Sequence, residues 1–226
     1  MVIITLKGNG EIRTRRRTKR TEIDAPYKGD IITFVYPMYC HGWHARVMGD
    51  IDSDNLLRPT TAETLSFVDL ALQNPEELHC TEILKRFRKN CLWTGTESLS
   101  FPEGVLVYDN SDGKMPNDRT GLIKLLDKND NRVRLVKPGF ATGIMPIPKF
   151  LKHPYVIAQV GEDMLEVVER IAESCNKKDA YVFGLDRADK DTKRYTAVDS
   201  GWYVSLSLGG GCLGDGRDGY ASGVLK

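Results

Sequence analysis

Several features that would place this chain in a membrane or outside the cell are missing. No apolar run approaches the roughly 20 residues of a membrane span, so no membrane partner is expected. The five cysteines are an odd number at irregular spacings, which argues against a secreted disulfide framework and for reduced thiols in the cytoplasm. Net charge is almost absent: 32 Lys and Arg against 31 Asp and Glu leave +1, so no global field draws in a polyanion and any such contact must come from local patches. There is no internal repeat. Met1-Val2-Ile3-Ile4-Thr5-Leu6-Lys7 has neither a basic leader nor a long apolar core, and reads as a first strand rather than a signal peptide.

The 226 residues suffice for one large domain or two small lobes, either able to bury a core without metal or disulfide. Asp30–Tyr36 reads as a strand bounded by Pro37, and Ala45–Met48 as a shorter one. Thr60-Thr61-Ala62-Glu63 is a capping box that opens a helix with Leu65, Val68 and Leu72 on one stripe. Asn74-Pro75 starts a second helix whose last turns carry Lys85, Arg86, Arg88 and Lys89. Gly104–Tyr108 and Arg132–Val136 are strands between polar turns. Pro138, Pro146, Pro148 and Pro154 mark a connector, so lobes over 1–137 and 155–226 flank residues 138–154, or the whole is one compact domain. Beyond it, Tyr155–Val160 reads as a strand, Glu162–Cys175 as a helix, and Tyr181–Leu185 and Trp202–Leu208 as strands. This β-α-β-β order predicts an α+β fold with antiparallel-rich sheets, of the ferredoxin-like (RRM-like) kind.

Two segments stand out as candidate nucleic-acid contacts. Glu11–Arg20 carries Arg13, Arg15, Arg16, Arg17, Lys19 and Arg20. If extended, it sets cations on both faces of a ribbon that an anion would neutralise; otherwise it is an edge kept soluble by charge. The C-terminal stretch holds Gly209, Gly210, Gly211, Gly214, Gly216, Gly219 and Gly223 around Arg217. So many glycines predict a loop, since each costs backbone entropy on ordering, and consecutive N–H groups in such a loop can cradle phosphate. The other reading is a structural connection between two strands.

Leu213-Gly214-Asp215-Gly216-Arg217-Asp218-Gly219-Tyr220-Ala221-Ser222-Gly223-Val224, a glycine-rich loop with a basic residue before a short apolar strand, resembles the signature of the RAMP superfamily. These are CRISPR proteins built from ferredoxin-like domains that hold or cut guide RNA. The resemblance implies a subunit of a ribonucleoprotein, with RNA and other protein subunits as partners.

Other constellations support chemistry less directly. Cys40 and His44 have the spacing of half a zinc site without a second half, and His41 or His44 could serve as a general base. Asp50, Asp52 and Asp54 follow an apolar segment and could bind Mg²⁺ or Mn²⁺ in an enzyme acting on a phosphate-containing substrate; the alternative is a solvated polar turn. The leading expectation is RNA or nucleic-acid-backbone binding without chemistry or cofactor, with the metal-dependent enzyme and a structural or assembly protein as alternatives.

Overall fold

A computed structural model describes residues 2–15, 20–176, 178–183, 186–201, 205–212 and 219–225, with the side chains of residues 2, 15, 40, 41 and 210–212 left aside. Four strands open the chain: β1 (Val2–Thr5), β2 (Glu11–Arg15), β3 (Arg20–Tyr27) and β4 (Asp30–Tyr36). After β5 (Tyr39–Gly42) come helices α1 (His44–Ser53), α2 (Thr61–Gln73) and α3 (Leu78–Lys89). The middle is β6 (Cys91–Phe101), β7 (Gly104–Asp109), α4 (Arg119–Asp127), β8 (Val133–Val136) and β9 (Gly143–Pro146). Helices α5 (Ile147–Leu151), α6 (Pro154–Val160) and α7 (Leu165–Cys175) precede β10 (Asp179–Phe183), β11 (Thr192–Asp199), β12 (Ser207–Cys212) and β13 (Gly219–Ala221).

The first four strands pair as an antiparallel meander. Lys28 and Gly29, both at positive φ, form the two-residue turn between Tyr27 and Asp30, the backbone that a tight hairpin requires. Register aligns Ile12, Ile23 and Phe34 in one buried row. That row packs on α2, where Phe67 stacks on Phe34 with ring centroids 4.3 Å apart. A larger sheet has the order β5-β13-β6-β11-β12-β10-β9, with β7 against β6 and β8 against β7. Its pairs are antiparallel except β13 with β6 and β10 with β12. The fold is therefore α+β with antiparallel-rich sheets, and the larger sheet takes strands from both sides of residues 138–154.

Helix α2 lies between the sheets. Its start is the expected capping box: the Glu63 N–H donates to Thr60 Oγ1 (3.2 Å) and the Thr60 N–H to Glu63 Oε2 (2.6 Å). Ala62, Leu65 and Val68 face the core of the larger sheet, while Phe67, Leu70 and Ala71 face that of the meander. The chain's end fastens the two sheets together. Gly219–Ala221 fit between β5 and β6, then the Val35 N–H donates to Gly223 O (2.9 Å) and the Leu225 N–H to Thr33 O (3.0 Å).

Four local expectations are corrected. Residues 45–48 belong to helix α1, because Val47, Met48 and Ile51 recur at helical spacing and are buried together. Tyr155–Val160 is helix α6, not a strand, which removes the ferredoxin-like order from this region. Pro154 occupies its first turn, His153 Nδ1 accepts from the Tyr155 N–H (3.3 Å), and Gly161 at φ 82° ends it. Asn74 closes α2, and Glu77 rather than Asn74 caps α3. Gly209, Gly210 and Gly211 lie within β12, an interior strand, rather than in a loop. At Gly209 the reason is space, since a Cβ there would stand 2.8 Å from Phe183 Cβ. No helix among the described residues is long and apolar enough to cross a membrane.

Gly219 and Gly49 make a paired test of this packing. A Cβ at Gly219 would stand 1.7 Å from Trp93 Nε1, whereas one at Gly49, in α1, meets nothing within 4 Å. Gly219→Ala is expected to cost about 3 kcal/mol in urea unfolding, and Gly49→Ala to add about 0.5–1 kcal/mol. Equal effects would show that β13 does not pack on Trp93.

Candidate functional site

The larger sheet has one face covered by the helical core and another covered partly by α1 and partly by α4. On the second face, cross-strand register sets Tyr108 of β7, Glu97 of β6 and Tyr195 of β11 side by side. An apolar cluster of Trp93, Val47, Met48 and Ile51 lies to one side, and one of Leu99, Phe101, Leu106 and Leu122 to the other. Between them Glu97 is 2% exposed. A carboxylate that deep must be paired and hydrogen-bonded. The Tyr108 hydroxyl donates to Oε2 (2.7 Å), Asn110 Nδ2 donates to Oε1 (3.3 Å), and Lys193 Nζ stands 2.7 Å from Oε2. Burial, with the Glu97 charge adding to it, pushes the Tyr108 phenol far above its ordinary value and keeps it a donor. Lys193 also donates to Asn117 Oδ1 (2.7 Å) and lies over the Tyr195 ring.

His44 stacks on the other part of this row, its ring centroid 4.1 Å from that of Tyr195. Its Nε2–H donates to the Thr94 carbonyl at 2.9 Å, which leaves Nδ1 as the bare nitrogen, buried and without a hydrogen-bond donor among the described residues. Burial pulls the imidazole down to about 4.

One end of the same sheet gathers its connections. β10 and β12 run parallel and finish there at Phe183 and Cys212, while antiparallel β11 starts there at Thr192. Phe183 is 40% exposed. Pro102, which follows β6, and Asp186, Arg187, Ala188 and Asp189 line an open cleft of about 630 Å³.

The residues singled out from sequence are distributed around this frame. Arg13 lies on the outer face of the meander and donates to Asp24 Oδ1 (2.6 Å), with Glu22 at 3.7 Å. Arg20 and the Tyr39 hydroxyl both meet Asp54 Oδ2. Arg15 ends β2 directly opposite Arg20, while Arg16, Arg17 and Lys19 lie outside the described residues, as do Gly214, Gly216 and Arg217. Gly219 is buried, and Trp93 beside it donates Nε1–H to Gly42 O (3.2 Å). On α3, Lys85 and Arg86 pair with Glu82, Arg86 also lies over the Tyr220 ring, and Arg88 and Lys89 are exposed. The three aspartates do not converge. The α1 helix turns Asp52 away from Asp50, and Asp52 takes both Nε (3.0 Å) and Nη2 (2.5 Å) of Arg58. Among the described residues no group of three His, Cys, Asp or Glu could hold a metal ion. Cys40 and His41 are in β5, with side chains outside the description.

His44 links this packing to pH. Its folded pKa lies below the ordinary 6.5, so the unfolded chain takes up the proton first. The stability it contributes is whole above about pH 6.5, drains away as pH falls toward 4, and is lost below. The loss comes to about 3 kcal/mol, and the slope of unfolding free energy between pH 7 and 4 should flatten in His44→Gln by that amount. Parallel slopes would mean that the imidazole is hydrated in the folded state.

Comparison with known proteins yields a structural likeness alone. No family model and no curated protein matches the chain. A solved structure described as "Accommodation of massive sequence variation in Nanoarchaeota by the C-type lectin fold" is similar, at 14% identity and a TM-score of 0.55. The match covers 83% of this chain and 95% of that one. The architecture built from these two sheets and their helices is thus similar to the C-type lectin fold.

Proposed function

We propose that this chain is a recognition protein, in which a C-type-lectin-like scaffold carries a ligand-contact surface at the end of the larger sheet where β10 and β12 finish. The observation behind this reading is the likeness, over 83% of the chain, to a structure described by its accommodation of massive sequence variation. Accommodation of that kind requires the residues that hold the fold to be separate from those that meet the ligand. The same division is available here. Glu97, Tyr108 and Trp93 are buried within strands, whereas Phe183 is exposed at the end of β10 and Arg187 and Asp189 are exposed in the lining of the cleft. An exposed aromatic among charges of both signs suits a protein ligand, with Phe183 and Arg187 as anchors.

Nucleic acid is the competing ligand. It would draw on Arg15, Arg16, Arg17, Lys19 and Arg217, because Arg13 and Arg20 already hold carboxylates. Guide-RNA binding of the RAMP kind would rest on the same residues.

The test is a display library randomised at Phe183, Arg187 and Asp189, selected against an unrelated purified protein. Most members should melt within about 5 °C of the parent, and selection should return micromolar or tighter binders. A library that largely unfolds, or folds and yields no binder, rejects the reading. If the parent copurifies with nucleic acid and replacing Arg15, Arg16 and Arg17 with Gln flattens the salt dependence of log K by about two units, RNA binding displaces it.

A further inference from the structure

Lys193, Asn117 and Glu97 form a contact that recognition does not use. Lys193 Nζ is 2.7 Å from Asn117 Oδ1 and 2.7 Å from Glu97 Oε2. With a C=O bond of about 1.23 Å, the amine nitrogen is within about 4 Å of the Asn117 amide carbon, close to a near-attack distance. A lysine that touches both a carboxamide and a buried carboxylate brings together the components of an amide exchange.

We propose that Lys193 and Asn117 join in an intramolecular isopeptide bond, with Glu97 as the proton carrier. The Lys193 ammonium passes a proton to Glu97 Oε2, and the freed lone pair attacks Cγ of Asn117. A C–N bond forms, and the carbonyl π electrons move to Oδ1. Glu97 returns the proton to Nδ2, the carbonyl re-forms, and the Cγ–Nδ2 bond breaks to release ammonia. The ammonia carries off the remaining ammonium proton, so no oxidant or reductant is needed, and the chain loses about 17 Da.

The scaffold holds the three groups in place. Glu97 is fixed by Tyr108 and Asn110 and is 2% exposed, so its position does not depend on solvent. Asn117 immediately precedes Asp118, whose carboxylate accepts the Gly121 N–H (2.8 Å) and caps α4. Arg119 then reaches Asp191, one residue before β11 begins, at 3.6 Å. Asn117 and Lys193 are thereby presented to each other although 76 residues separate them. The product would tie β11 to the entrance of α4, across the face that carries the Tyr108–Glu97–Tyr195 row.

Intact mass spectrometry of the denatured full chain tests this directly. The parent should weigh about 17 Da less than its sequence, and tandem spectra should contain a branched peptide joining Lys193 to Asn117. Asn117→Ala and Lys193→Arg should restore the full mass, and Asn117→Asp should lose about 18 Da as water. Glu97→Gln, which removes the proton carrier, should also keep the full mass; Asn117 is exposed, so its Ala variant keeps the test valid if Glu97→Gln fails to fold. Loss of the cross-link in Asn117→Ala should lower Tm by about 10 °C, as expected for opening a long closed loop. A parent of full sequence mass after days at neutral pH overturns the proposal. So does a 17 Da loss that survives Lys193→Arg, which would be succinimide formation at Asn117.

Discussion

The structure depends on helix α2 being buried on two sides at once. Ten of its thirteen residues are buried, and its apolar faces serve different cores. A helix covered all round has no water to satisfy its first N–H groups, so its start must be provided for by protein. Thr60 and Glu63 satisfy one another there, and the Thr61 N–H donates to Thr96 Oγ1 (2.9 Å) on β6. The same junction holds the Gly95 N–H on Pro59 O (2.6 Å) and the Arg58 N–H on Ser111 O (2.8 Å). The position of α2 thus sets where β6 runs, and β6 sets the rest of the larger sheet.

The centre of that sheet is unusually polar for an interior. Thr61 and Thr196 both donate to Gln159 Oε1 at 3.2 Å, which fastens α6 to α2 and β11. Thr96 Oγ1 donates to Asp109 Oδ1 (2.7 Å), and Arg134 holds the other oxygen of that carboxylate. Bonds of this kind contribute modestly to stability, but they penalise any shift in register, because a slipped strand leaves buried groups unpaired. Glu97 is the extreme instance: its three partners lie on β7, on the turn after it and on β11. Building a carboxylate into this site fixes several elements relative to one another. The Glu97 network does not draw on Phe183, Arg187 or Asp189, which are exposed.

The elements legible in the sequence were those whose signal is local. The capping box at Thr60–Glu63, the strand Asp30–Tyr36 and the turn after Tyr108 rest on neighbouring residues and stand as expected. Helix α1 reads as a strand at residues 45–48, although Val47, Met48 and Ile51 recur at helical spacing. Strands β6 and β11 were not legible. Their residues, LWTGTESLSF and TKRYTAVD, are mostly hydroxylic or charged, and alternation of apolar with polar is absent where both faces are covered. The buried polar row was missed for the same reason, since Glu97, Lys193 and Tyr195 sit on those two strands.

By itself, then, the sequence determined the α+β class, the capped α2 helix and the strands at the start of the chain and at Asp30–Tyr36, because propensity, caps and turn chemistry act within a few residues. Only the tertiary structure decided that Gly209, Gly210 and Gly211 extend inside a sheet, that Gly219 lies against Trp93, and that Arg13 and Arg20 meet carboxylates. It also brought Asn117 to Lys193 across 76 residues. The physical reason is the same in each case. Whether a glycine is a hinge or a close contact, and whether a charge is free or paired, depends on what stands opposite it, and a partner distant in sequence leaves no trace in the neighbouring residues.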